Sequence, residues 1–356
     1  MVRTYGELYR HMKYILQEEE GDRAAYTARE LLSYVTGYGP AALMGMQTIY
    51  ASEETAERCL TLAGRILAGE PLAYVLGKWS FYGLELTVTP DVLIPRDDTM
   101  AVVDLALEQR KRMPVNPRIL DLCTGSGCIG LTLASRMKDA RVTLVDISAK
   151  ALKIAKKNAA DLKLTGRVSC VQGDALQPAN KFLGQFDLII SNPPYVARQE
   201  MLELHRSVRD YEPHLALFGG DDGLDFYRAI ISHYTAALKP GGFLCFEFGM
   251  GQGDAVCWLL EKKRTAFLAY CIQLYFGRLC TVPDCVFFCK RIQLSFADDG
   301  STAYPAYYRC RTKYCISEYA IPLSSARAQD LLHFIVSVHN QSRCAAWSWC
   351  RHSILR

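Results

Sequence analysis

No apolar run in the 356-residue chain reaches the roughly 18 residues that a membrane-spanning helix needs. The first stretch, MVRTYGELYRHMKYILQEEEGD, has the pattern of an amphipathic helix and lacks an apolar h-region. It is therefore not expected to be a secretory signal, and a cytoplasmic protein is expected. Net charge is scarce too: +4 is too small to imply nucleic acid by itself. Internal repeats and low-complexity linkers are missing. So are cysteine pairs at zinc spacing, because Cys280, Cys285 and Cys289 do not match C-x2-C, and no metal site is expected. A disulfide module does not suit a cytosolic protein. What is there is ordinary: half the residues are apolar and 22% charged, a soluble globular composition long enough for two domains.

The averages conceal a break. Residues 1–256 hold 28 Lys and Arg against 31 Asp and Glu, whereas residues 257–356 hold 13 against 6. The last hundred residues also carry nine of the fourteen cysteines and three of the four tryptophans.

Residues 1–78 are expected to form a small helical domain. Tyr5, Leu8, Tyr9, Met12, Ile15 and Leu16 recur at helical spacing, as do Ala28, Leu31, Leu32 and Val35. A further helix is capped by Ser52 and ends at Gly69 and Pro71. WSFYGLELTVTPDVLIP alternates and is aromatic, which predicts a β-hairpin linker over 79–100. From residue 101 to 290 strands alternate with helices: RILDL, RVTLVDI, VSCVQGDA, FDLIISNPPY and GGFLCFEFG are the strands. That rhythm predicts a doubly wound, mostly parallel α/β sheet.

The loop after the first of those strands, DLCTGSGCIG, presents Gly125, Gly127 and Gly130 as a G-x-G-x-x-G between a strand and a helix. Such glycines permit a tight turn and close approach of backbone N–H groups to a ligand. Asp146 ends the next strand, where an acid can hold both hydroxyls of a ribose. A dinucleotide site has the same ingredients. Asp121 and Asp174, at the ends of neighbouring strands, favour instead a positively charged ligand with ribose and adenine and no phosphate, S-adenosylmethionine.

LIISNPPYVA poses a different problem, an apolar strand running into Asn192, Pro193, Pro194 and Tyr195. The prolines cannot donate to a sheet ladder, so the strand stops at Ser191 or Asn192. Asn192 then lies at a strand's C-terminal end, where open α/β sheets bind ligands. Its side-chain carbonyl and the Pro193 carbonyl are two acceptors in a stiff frame, able to grip a planar –NH2 group, with Tyr195 as a wall. Fixing both N–H bonds aims the nitrogen lone pair at a transferable methyl.

NPPY, ILDLCTGSGCIGL, EPLAYVLGKWSFYGLEL and VLIPRDDT, in the chain, resemble the release-factor glutamine N5-methyltransferases (the PrmC/HemK type) over residues 1 to about 262. The resemblance implies a class I S-adenosylmethionine-dependent methyltransferase fold with a small helical N-terminal domain. It implies a cofactor site at Cys123, Thr124, Gly125, Ser126, Gly127 and Asp146, joined by Asp174 and Asn192. Asn192, Pro193, Pro194 and Tyr195 would bind the substrate glutamine of a Gly-Gly-Gln loop in a peptide-chain release factor. Three departures stand out: Cys123 where the family often has Gly, Met100 where its IPRPETE ends in an acid, and Ala175 where an aromatic often faces adenine.

The expected activity is methyl transfer from S-adenosylmethionine to the side-chain amide nitrogen of that glutamine, by a monomer that binds neither membrane nor, stably, nucleic acid. Alternatives are an adenine-N6 nucleic-acid methyltransferase, which shares the NPPY clamp, and a glutamine methyltransferase acting on a ribosomal protein. Residues 1–256 are net acidic, against the first. Thr265–Phe288 is apolar enough for two strands, and 291–356 is an atypical Cys-rich basic tail without a clear period. Its composition suggests a reading frame shifted near EKKR, or else a basic extension that binds RNA or the ribosome.

Overall fold

The computed structural model describes residues 4–263, 268–273, 288–289, 306–312 and 315–321. The chain divides into two compact units, Met1–Cys289 and Lys290–Arg356.

The first unit begins with helices α1 (Tyr5–Glu20), α2 (Ala24–Thr36), α3 (Pro40–Gly45), α4 (Glu53–Leu67) and α5 (Leu72–Leu76). Thr4 and Glu7 form a capping box on α1, and Ser52 caps α4 through the Thr55 N–H. The helical spacing read in the sequence is the buried stripe: Leu8, Met12 and Leu16 pack with Ala28, Leu31, Leu32, Ala63 and Ile66 in one core. Strands β1 (Lys78–Phe81) and β2 (Leu84–Thr87) then pair antiparallel. The hairpin is shorter than the 79–100 expected, because Val88, Val92 and Ile94 leave the ladder to pack on Ala73, Tyr74 and Ala151.

The rest is α6 (Met100–Glu108), β3 (Arg118–Leu122), α7 (Cys128–Arg136), β4 (Arg141–Asp146), α8 (Ala149–Asp161), β5 (Val168–Gln172), β6 (Phe186–Ser191), α9 (Arg206–Arg209), α10 (Asp225–His233), β7 (Leu238–Phe248), α11 (Gly253–Lys262), β8 (Leu268–Gln273) and β9 (Phe288–Cys289). The sheet order is β5-β4-β3-β6-β7-β8-β9, with every neighbouring pair parallel except β8 and β9. Successive strand residues face opposite sides. Ile119, Leu188, Ile190 and Phe243 therefore join α6, α7 and α8 in one core. Leu120, Leu122, Ile189, Leu244 and Phe246 join α10 and Val256 in another. This is the doubly wound sheet, and its order reverses between β3 and β6, where such sheets open a crevice. Among the described residues no helix is long and apolar enough to cross a membrane.

In the second unit, β10 (Ala306–Thr312) and β11 (Cys315–Ile321) pair antiparallel. Most of the 291–356 tail, and Cys280 and Cys285, lie outside the described residues.

Candidate active site

The glycine loop leaves β3 at Leu122 and enters α7 through Gly127. The Thr124 N–H reaches the Val145 carbonyl at 3.1 Å, and the Gly125 N–H donates to Asp146 Oδ2 at 2.9 Å. Asp146 Oδ1 accepts from the Ser148 N–H at 2.9 Å, so both carboxylate oxygens are fixed in direction and each keeps a further lone pair. Burial raises the Asp146 carboxyl above its ordinary value, opposed by these backbone bonds. A Cβ on Gly125 would meet no atom within 4 Å, so the loop leaves a hollow at that point. At Gly130 the reverse holds: a Cβ would come within 2.3 Å of Leu144, so only glycine lets α7 seat on β4. Cys123 has φ +57°, the left-handed region that favours glycine, which explains why a glycine often suits this position.

The three acids read as strand ends separate here. Asp146 closes β4 beside the hollow. Asp174 lies two residues beyond β5, half-buried, with Oδ1 accepting from the Leu176 N–H. Asp121 does not meet a ligand as expected. It is fully buried inside β3, and its Oδ2 accepts from the Thr124 hydroxyl at 2.6 Å and the Gly130 N–H at 2.9 Å. Its work is to brace the loop from beneath, and burial pushes its carboxyl up to about 7. Ala175 packs into the core, and Met100 against the opposite one.

β6 ends at Ser191, and Asn192–Tyr195 follow without regular structure, the two prolines buried and Asn192 and Tyr195 half-buried. The loop is held rigidly from behind. The Val196 N–H donates to the Leu217 carbonyl, the Gly219 N–H to the Val196 carbonyl, and Gln252 Nε2 to the Tyr195 carbonyl at 2.9 Å. A Cβ on Gly219 would come within 2.6 Å of Tyr195 Cα, so the run LFGGDDG is a close-fitting backing that sequence reading left unassigned. Asn192 Nδ2 donates to the Thr99 hydroxyl at 3.3 Å, which turns its Oδ1 the other way.

A cleft of 730 Å³ opens above Tyr195, walled by Glu20, Arg23 and Tyr26 from the N-terminal helices, Trp79 from the hairpin, and Arg96–Asp98. Arg96 pairs with the buried Glu212, which also accepts from the Ile94 N–H, pinning IPR to the segment before Pro213. Tyr211 reaches the Ala68 carbonyl at 2.8 Å. Asn158 joins the Thr87 backbone of the hairpin to the Ser126 carbonyl of the glycine loop.

Glu247, missed in the sequence, lines this cleft near the end of β7 and is 2% exposed. Burial pushes its carboxyl from 4.5 up to about 8; hydrogen bonds from Thr99 and Asn192 and the charge of Arg96 pull it down, and Asp98 adds to the rise. The folded protein thus holds a proton that the unfolded chain releases above its ordinary value. The associated stability is full below about pH 4.5 and is lost as pH rises through about 8. Asp121 contributes with the same sign. Glu247→Gln removes one of these slopes. Denaturant midpoints should therefore fall less in the variant than in the parent between about pH 5 and pH 9. Equal falls would show that Glu247 titrates normally.

The donor and acceptor set suits S-adenosylmethionine. An acid faces the hollow of the glycine loop, two carbonyl acceptors sit at the end of β6, and no cationic side chain of the kind that holds phosphate stands in the Cys123–Gly127 loop. Residues 104–215 match the family model described as Methyltransferase small domain, and residues 7–77 match PrmC N-terminal domain. A release factor glutamine methyltransferase of Geobacter sulfurreducens is 38% identical over 247 residues, covering 69% of this chain and 84% of that protein. One of Neisseria gonorrhoeae is 42% identical over 241 residues, covering 66% and 84%. Another, of Clostridium acetobutylicum, is 36% identical over 249 residues, covering 70% and 87%.

Proposed function

The chain belongs to the release factor glutamine methyltransferase family, and from that premise we propose how its residues divide the reaction. The enzyme is an S-adenosylmethionine-dependent protein-glutamine methyltransferase whose substrate is a peptide-chain release factor. The cofactor, when bound, supplies an electrophilic methyl on sulfur. Cys123–Gly127 and Asp146 hold it, Asp146 through the ribose hydroxyls, with Asp174 and Asn192 at its edges.

The glutamine, presented by a Gly-Gly-Gln loop, enters the cleft between the N-terminal helices and Arg96–Asp98 and meets Tyr195 at the floor. Asn192 Oδ1 and the Pro193 carbonyl each accept one N–H of its amide. An amide nitrogen is a poor nucleophile because its lone pair is delocalised. Holding both N–H bonds while excluding water turns that lone pair toward the methyl. Pro194 stiffens the frame and Tyr195 covers the planar group. The N-terminal helices receive the body of the release factor, in the cytoplasm where translation ends. The single observation that carries this reading is the direction of Asn192. Its amide nitrogen donates to Thr99, which turns the carbonyl oxygen away from Thr99 as the free acceptor beside Tyr195.

Methyl-labelled S-adenosylmethionine, offered with a release factor, the same factor with its glutamine replaced by alanine, and duplex DNA, tests the assignment. Label is expected in the intact factor alone. Label in DNA, or equal label in both factors, would overturn it.

A further inference from the structure

We propose that Thr99 and Glu247 are positioning residues that together set which way the Asn192 amide faces, an inference that rests on the amide-clamp reading above. A primary amide fits its site in two orientations of nearly equal shape, related by a half turn about its last bond. Only the one with Oδ1 turned away from Thr99 can accept from a substrate –NH2 group. The other would present an NH2 to an NH2 and abolish the grip.

Three chain segments meet to make the choice. Thr99 closes the 3-10 turn of the IPRDDT stretch, Glu247 stands near the end of β7, and Asn192 follows β6. Thr99 and Glu247 are each 2% exposed, so water cannot replace either partner. Asn192 Nδ2 donates to Thr99 Oγ1 at 3.3 Å. Glu247 lies beside both, close enough that Thr99 and Asn192 draw its carboxyl down against the rise that burial causes. Its Oε2 is buried without a partner, which leaves the other carboxyl oxygen as the one available to Thr99 and Asn192.

The order of donation matters. A hydroxyl has one proton. Thr99 gives that proton to Glu247, and what it then offers Asn192 is lone pairs. A half-turned Asn192 would set its own carbonyl oxygen against two acceptors in a buried site, which is costly. The lock holds whether or not Glu247 is ionised, because a proton on the unpartnered Oε2 leaves the accepting oxygen unchanged. Glu247 thereby polarises Thr99, Thr99 orients Asn192, and only Asn192 touches the substrate.

The test is a double-mutant cycle on the full chain, read as kcat, KM for the release factor and cofactor affinity by calorimetry. Thr99→Val keeps the shape and removes the hydroxyl. It should lower kcat by about 10–100-fold, the range for lost supporting contacts, with KM and cofactor affinity little changed. Thr99→Ser should restore most of the rate. In an Asn192→Ala background, Thr99→Val should cost nothing more, because there is no amide left to orient. Equal losses in both backgrounds, or full kcat in Thr99→Val alone, would overturn the proposal. Glu247→Met, similar in size and without an acceptor, runs through the same cycle should Thr99→Val not fold, and Glu247→Gln should retain more rate than Glu247→Met. A parent enzyme that leaves the release factor unlabelled would instead remove the functional reading itself.

Discussion

Asn192→Ala should lower turnover on a release factor by about 10²–10³-fold, the usual cost of losing a preorganised polar partner of the reacting group. The loss has two parts. One acceptor for the substrate amide disappears, and the Pro193 carbonyl is left to hold one N–H bond alone, so the amide can swing about it. Apparent affinity for the release factor should change little, because a protein substrate is held mainly by contacts elsewhere in the 730 Å³ cleft and along its walls. The effect belongs to kcat, since the contact strengthens as the nitrogen pyramidalises. Asn192→Asp is a sharper probe. It keeps the shape and the acceptors but loses the N–H that Thr99 receives, and it brings a second carboxylate beside Glu247. Its turnover should also fall, while cofactor binding holds or tightens. Near-full turnover in Asn192→Ala, with normal cofactor binding, would return Asn192–Tyr195 to the status of a structural loop.

Asp146→Ala should weaken S-adenosylmethionine binding by at least about 100-fold. A ribose would lose two charge-assisted hydrogen bonds at roughly 1.5–3 kcal/mol each, and every 1.4 kcal/mol is tenfold. A further loss comes from the loop. Gly125 and Ser148 both donate to this carboxylate, so its removal leaves two backbone N–H groups seeking partners and loosens the hollow the cofactor needs. Asp146→Asn separates the contributions, since it can still accept from one backbone N–H while losing the charge. Calorimetry on the three proteins decides, and unchanged affinity in Asp146→Ala would remove the ribose assignment.

The sheet was readable because its strands are apolar runs bounded by turn residues, and the glycine loop because a strand and a helix flank it. Asn192 was readable because two prolines force the strand to stop where ligands bind. Asp121 was misread for a physical reason: an Asp one residue inside a strand looks, in one dimension, like an Asp at its end. Burial then commits it to Thr124 and Gly130. Glu247 had left a signal in FLCFEFG, a lone acid in an otherwise apolar strand, which is costly to bury without a purpose. Thr99 and Asn158 left none. Each acts across a long stretch of chain, Thr99 on a residue 93 positions away and Asn158 on one 71 away.

The ion pair of Arg96 with Glu212 has a consequence for how such chains drift. Glu212 is nearly without solvent, so a change at Arg96 strands a buried charge, and the Ile94 N–H loses its acceptor when Glu212 goes. A lineage can abandon the pair only by altering two distant codons together, or pass through a weakened intermediate. The IPR signature is thus held in place by a rivet rather than by chemistry: part of what makes the protein recognisable is the difficulty of unfastening it.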